Sequence, residues 1–317
     1  MSPEKVHTEW LEVPIFIHGI SPEGDPGDHK GEYDSLRKSV NKYLKIEGKP
    51  PLSQAPIYVE WGRQYPGAIG NDQYLAKAEQ ILHERIRESM GDKYTGLLPV
   101  YKIIREMIYF GVIDLFYYVS QDGEEELRNH VFGEVTRRIL LFGSKKNTRV
   151  SLTFFAHSAG TLITHDLLYH YFGKKRSDDR EDKSESNKIV KRMDKARDIG
   201  NPDDPEDVRM RVRRLYTFGS PIAPLSLRSN SLIKMMLQDK TLNPEKIGLR
   251  AKDKIPGYRW VNYWDKDDLA SAPVAPLYDN SKNVILDYHV NAGLLLPKAH
   301  TNYWYSDEMA RHIAETY

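Results

Sequence analysis

The run Val150–Phe155 is β-branched and aromatic, and it stops on Ala156-His157-Ser158-Ala159-Gly160, after which a helical period starts at once through Ile163, Leu167 and Tyr171. A buried strand that passes straight into a helix through a tight turn narrows the choice of folds sharply. Strand and helix approach each other closely there, so the residues two before and two after the turn centre must be small. Ala156 and Gly160 meet that demand, although Ala156 adds a methyl group where glycine is the more usual choice. A strand–helix unit of this kind is half of a parallel crossover.

The remaining periodicities agree with that reading. Short apolar runs predict strands at Val13–Ile17, Ile57–Trp61, Leu215–Phe218, Tyr258–Trp264 and Asn283–Tyr288. Helical spacing covers Tyr33–Leu44 through Leu36, Val40 and Leu44, and Asp307–Tyr317 carries its acids in the first turn, where the helix dipole favours them. Between the second and third strands lie helical patterns at Asp72–Met90, Val100–Tyr118 and Glu124–Phe142. Strands alternating with helices imply an α/β class, with a mostly parallel central sheet, helices on both faces and a helical insertion over residues 72–142. The expected organisation is one domain over 1–317, with a second insertion at 174–207, where Lys174–Lys195 is charged in both signs and nearly devoid of apolar residues.

Composition removes several chemistries. The chain of 317 residues has no cysteine, so disulfides, thiolate nucleophiles and cysteine-ligated metals are excluded. A formal net charge of +1 gives no electrostatic case for nucleic acid. The most apolar stretch, Leu97–Val119, is broken by Lys102, Arg105, Glu106 and Asp114, so no transmembrane segment is expected. Residues Met1–Trp10 lack the pattern of a secretory signal, and the expected location is cytoplasmic. No glycine-rich phosphate loop and no histidine pair spaced for a metal occurs, so neither cofactor nor metal is expected.

In parallel sheets the chemistry gathers at the carboxyl ends of the strands. Ser158 sits at such an end, and the start of the helix behind it aims backbone N–H groups at any neighbouring anion. A serine hydroxyl needs a base within hydrogen-bond reach and a carboxylate to orient that base. Where a serine occupies an elbow of this kind, acid and then histidine follow it in the chain. His300, between the last strand and the closing helix, is the favoured base, with His289 as the alternative; His165, His170 and His312 lie within helices. The acid falls in Asp265-Lys266-Asp267-Asp268, where Asp268 is favoured and Asp265 is the rival. An oxyanion hole is expected from the N–H groups of Ala159 and Ile20. His18, Gly19, His157, Ser220 and Asp265 are candidate cleft-lining residues; Ser220 lies in Gly219-Ser220-Pro221, where the proline is unsuited to an elbow.

Taken in order, the strand ending in His18-Gly19, the Ala156–Gly160 elbow, Phe218-Gly219-Ser220-Pro221, the Asp268 loop and the His300 loop resemble the α/β-hydrolase superfamily, and within it the lipase-like serine esterases. The resemblance implies the α/β-hydrolase fold and hydrolysis of a carboxylic ester through an acyl-enzyme. It implies a small-molecule acyl ester or lipid as substrate. The same machinery would serve thioesters, amides or phospholipids, and a chain that kept the fold without the chemistry would act as a binding protein. Val100–Tyr118 is a candidate lid, with peripheral lipid contact as its corollary.

Overall fold

The computed structural model describes residues 10–19, 29–53, 55–61, 131–143, 149–172, 210–226, 241–250, 255–293 and 298–317. The helical patterns at Asp72–Met90 and Val100–Tyr118, the candidate lid with them, and the charged stretch 174–207 lie outside these residues.

Six strands form one sheet in which every pairing is parallel: β1 (Trp10–Ile17), β2 (Ile57–Val59), β3 (Arg149–His157), β4 (Met210–Phe218), β5 (Trp260–Trp264) and β6 (Ile285–His289). Their order across the sheet is β2-β1-β3-β4-β5-β6. Strand succession runs one way from β1 to β2 and the other way from β1 across to β6. The order therefore reverses at β1 and β3, and the loops leaving those two strands diverge to open a crevice between them. The register Ile17↔Ala156 ends both strands level, which brings Gly19 and Ser158 together at that switch point.

Helices cover both faces. The residues α1 (Lys30–Ile46) and α6 (Asp307–Thr316) pack on one side, against Phe16, Phe155, Tyr216 and Tyr263. On the other side α2 (Gly133–Gly143), α3 (Ala159–Phe172) and the short α4 (Ile222–Ser226) join the core that holds Val13, Ile15, Ile17, Leu152 and Phe154. Alternation along each strand sends Phe16 to one face and Ile15 and Ile17 to the other, and because both faces are covered stretches such as Val13–Ile17 of β1 read as unbroken apolar runs. Phe16 stacks on Phe155 at 4.6 Å and Phe155 on Tyr216 at 5.2 Å, so an aromatic row ties β1, β3 and β4 crosswise. Each such ring removed from water contributes about 2–3 kcal/mol.

Several elements run longer than their sequence patterns predict. β4 begins at Met210 rather than Leu215, because Arg211, Arg213 and Arg214 hide its first half from an apolar pattern. Arg211 lies over the Trp10 ring at 4.0 Å and Arg213 pairs with Glu12 at 2.6 Å, so long cationic side chains fill positions that shorter apolar ones occupy elsewhere. The third predicted insertion helix is described from Gly133 to Gly143. α6 starts on Ser306, whose hydroxyl accepts the Met309 N–H, and it buries Met309, Ala310, Ile313 and Ala314. Among the described residues no helix is long and apolar enough to cross a membrane.

Candidate active site

Ser158 has a φ of +50°, one of two non-glycine residues among those described with a positive value. A left-handed conformation costs a serine about 1–3 kcal/mol and persists only where its surroundings enforce it. The enforcement is visible on both sides of the residue. Its N–H donates to Phe218 O at 3.0 Å, and its carbonyl accepts both the N–H and the hydroxyl of Thr161, at 2.9 and 2.7 Å. Because the Thr161 proton is committed to that carbonyl, the Ser220 hydroxyl donates to Thr161 Oγ1 at 2.9 Å. Ser220 is fully buried in this staple.

The small residues of the turn answer to contacts on β1. A Cβ on Gly160 would stand 2.3 Å from His18 O and 2.7 Å from Ile17 O, both backbone atoms. On Gly19 a Cβ would stand 2.4 Å from Ser158 Cβ. The two glycines thus let the end of β1 and the head of α3 close around the serine.

The Ser158 hydroxyl lies 2.7 Å from His300 Nε2, and His300 Nδ1 lies 3.0 Å from each oxygen of Asp268. With a carboxylate on its Nδ1 side the imidazole carries its proton there, leaving the Nε2 lone pair to accept from the serine. Ser158 and His300 are 7% and 8% exposed, while Asp268 is 1% exposed, so the serine–histidine end of the chain of groups meets solvent and the acid end does not. His300 stands on a one-turn helix, α5 (Lys298–Thr301), and not in an open loop as its polar sequence suggests.

Asp268 is set by the loop that leaves β5. Its Oδ1 accepts the Ala270 N–H at 3.1 Å and its Oδ2 accepts the Tyr303 hydroxyl at 3.1 Å. Further along, Asp287 of β6 accepts the N–H groups of Val274 and Ala275 at 2.8 and 2.9 Å and the Asn262 amide at 2.8 Å. Two neighbouring strands therefore fix the return of the same loop. Asp265, the rival acid, accepts the Ala292 N–H at 2.6 Å and is engaged in joining the exits of β5 and β6.

His157 and His18 brace the site. His157 donates Nε2–H to the carbonyl of His300 at 2.6 Å, and its ring lies 4.9 Å from the His300 ring. His18 accepts the Trp61 N–H on Nε2 at 3.1 Å, so its Nδ1–H donates to Gly19 O at 2.5 Å. Trp61 Nε1–H in turn donates to His18 O at 2.7 Å, and His29 stacks on the His18 ring at 3.8 Å. Burial holds both imidazoles, His18 and His157, well below their usual pKa and hence neutral. The 3.7 Å approach of His18 to Glu60 is accordingly not an ion pair.

Among the described residues, three further histidines are occupied elsewhere. His289 packs edge-on against Trp264, His165 Nε2 meets the Tyr278 hydroxyl at 2.5 Å, and the Tyr263 hydroxyl meets His312 at 2.9 Å. Ala159 is the first residue of α3, so its N–H has no acceptor within the helix. Ile20, the second expected donor, lies outside the described residues. Among the described residues no three histidine or carboxylate groups are placed to hold a metal ion. Sequence reasoning passes over Tyr303 and Thr161. Each lies three residues beyond a residue it did single out, His300 and Ser158, a spacing that brings side chains together on a helical turn.

The neutral buried histidines make stability depend on pH. The unfolded chain takes up protons at histidine near pH ~6.5, whereas His18 and His157 resist protonation in the fold. Below that pH the unfolded state binds more protons, so stability falls as pH falls, by up to about 1.4 kcal/mol per pH unit for each histidine. Denaturant titrations from about pH 7.5 to about pH 5 measure the slope. His157→Gln, which keeps a donor for the His300 carbonyl, is expected to lower it by about one proton; an unchanged slope would contradict the assignment of His157 as neutral.

Comparison with known protein families, with curated proteins and with solved structures finds no match to the chain.

Proposed function

We propose that the chain is a serine hydrolase with an α/β-hydrolase fold, cleaving carboxylic esters through an acyl-enzyme. The observation that carries this reading is the unbroken line from the Ser158 hydroxyl through both nitrogens of His300 to Asp268, at 2.7 and 3.0 Å, on a left-handed serine at the sheet's switch point. Serine N-caps are common, but an N-cap requires no buried imidazole on its hydroxyl and no carboxylate behind that imidazole.

Ser158 Oγ attacks the acyl carbon as its proton passes to His300 Nε2, and Asp268 stabilises the imidazolium across Nδ1–H. The carbonyl oxygen becomes an oxyanion that accepts N–H groups of Ala159 and, on the proposed reading, Ile20. Collapse breaks the ester C–O bond, and the alkoxide leaves with the proton held on Nε2. Water then takes the place of the alcohol: His300 Nε2 removes its proton as its oxygen adds to the acyl carbon, and collapse of the second tetrahedral intermediate breaks the bond to Ser158 Oγ, which takes the proton back from Nε2 as the carboxylic acid is released.

An alkyl fluorophosphonate is the direct test, because it reports an activated serine whatever the acyl preference. Stoichiometric labelling, mapped by peptide mass to Ser158, is the expected result, together with turnover of p-nitrophenyl esters whose chain length is then varied. A folded protein that neither labels nor turns over any ester of the series would overturn the reading.

A further inference from the structure

The acid behind His300 has one partner more than proton transfer requires. Both oxygens of Asp268 face Nδ1 at 3.0 Å, Oδ1 is also held by the Ala270 N–H, and Oδ2 is held by a side chain, the Tyr303 hydroxyl. We propose that Tyr303 is a positioning residue for the base: its hydroxyl keeps Asp268 turned squarely to His300 and draws charge from the carboxylate, which sets how readily His300 takes a proton. This inference rests on the hydrolase reading above and concerns the same site.

The ring of Tyr303 is fixed independently of Asp268. It is fully buried, with its centroid 6.1 Å from that of Phe218 and 6.0 Å from that of His157. Tyr303, His300 and Asp268 also converge on the bare Cα of Gly219. A Cβ there would lie 3.1 Å from Tyr303 Cε2, 3.2 Å from His300 Cε1 and 3.3 Å from Asp268 Oδ2, at a φ of +60°. A ring packed against Phe218 of β4 and His157 of β3 presents its hydroxyl at one place, and Asp268, held from its own loop by the Ala270 N–H, meets it there. Burial pushes the phenol well above its usual pKa, so the hydroxyl remains a donor throughout the working range. The titratable groups facing the pair are Asp265 on the acid loop and His157 at the end of β3, with His18 and His29 beyond His157.

Removing the hydroxyl has a definite sign. A carboxylate relieved of one donor carries more charge towards Nδ1 and stabilises the imidazolium better, so the base takes its proton at higher pH. In Tyr303→Phe, measured on the full chain, the acidic limb of kcat/KM for a p-nitrophenyl ester is expected to move upward by about half a pH unit, and kcat/KM to fall about ten-fold. The pH dependence of fluorophosphonate inactivation should move with it, and so should the downfield imidazole proton in the NMR spectrum. A fluorotyrosine placed at 303 keeps the ring and strengthens the donor; it is expected to move the limb downward, which tests the same claim should the phenylalanine variant not fold. A folded Tyr303→Phe with an unmoved limb, or one moved downward, overturns the proposal and leaves Tyr303 as packing. Wild-type protein that fails to label at Ser158 overturns the hydrolase reading itself, so the two failures are distinguishable.

Discussion

On the proposed reading, Ser158→Ala is expected to lose all reaction with a fluorophosphonate and to lower ester turnover by about five orders of magnitude, while leaving stability within about 1 kcal/mol of wild type. The size follows from the arrangement. With the hydroxyl gone, His300 has no nucleophile to activate, and only binding and oxyanion stabilisation remain. Ser158→Gly sharpens the test. Both variants are inactive, but glycine adopts a φ of +50° without the cost an L side chain bears there, so the glycine variant is expected to be the more stable by about 1 kcal/mol. Equal stability would mean that the turn is not strained; retained labelling in either variant would place the nucleophile elsewhere.

Gly160→Ala has the second large effect, and it acts on the frame and not the chemistry. Its Cβ would meet two backbone oxygens of β1 at 2.3 and 2.7 Å, and neither can move as a flexible side chain moves. Either α3 shifts away from β1 or β1 distorts at His18, and His18 is tied to Trp61 by two hydrogen bonds. The expected loss is about 3 kcal/mol or more in denaturant unfolding. In the folded fraction, activity falls by at least about 100-fold, since moving the serine by a fraction of an ångström breaks its alignment with His300. Gly219→Ala serves as a comparison. Its contacts are side-chain atoms at 3.1–3.3 Å, and its effect should fall more on the pH profile and less on stability.

How much of this was legible in the sequence depended on whether a feature was local. The elbow was readable because strand, small residues and helix lie within one continuous segment, whereas the switch point depends on the strand order, which no local pattern carries. Asp268 is favoured in the sequence by the residues that follow it, yet Asp265 has the same chemistry, and what divides the two in the fold is that the Ala292 N–H engages one and His300 the other. The first half of β4 was hidden because its arginines answer to Trp10 and Glu12 on β1, roughly two hundred residues away in the chain. Tyr303 is one tyrosine among 20 and carries no signal in the sequence, because its role depends on the Asp268 loop lying beside it in the fold.

The separation of 142 residues between Ser158 and His300 has a temporal consequence. A nascent chain halted before residue 300 already contains all six strands, yet it holds no imidazole to set against the serine. Labelling at Ser158 would therefore begin only when the final segment docks onto the finished sheet, and it would serve as a clock for the last step of folding.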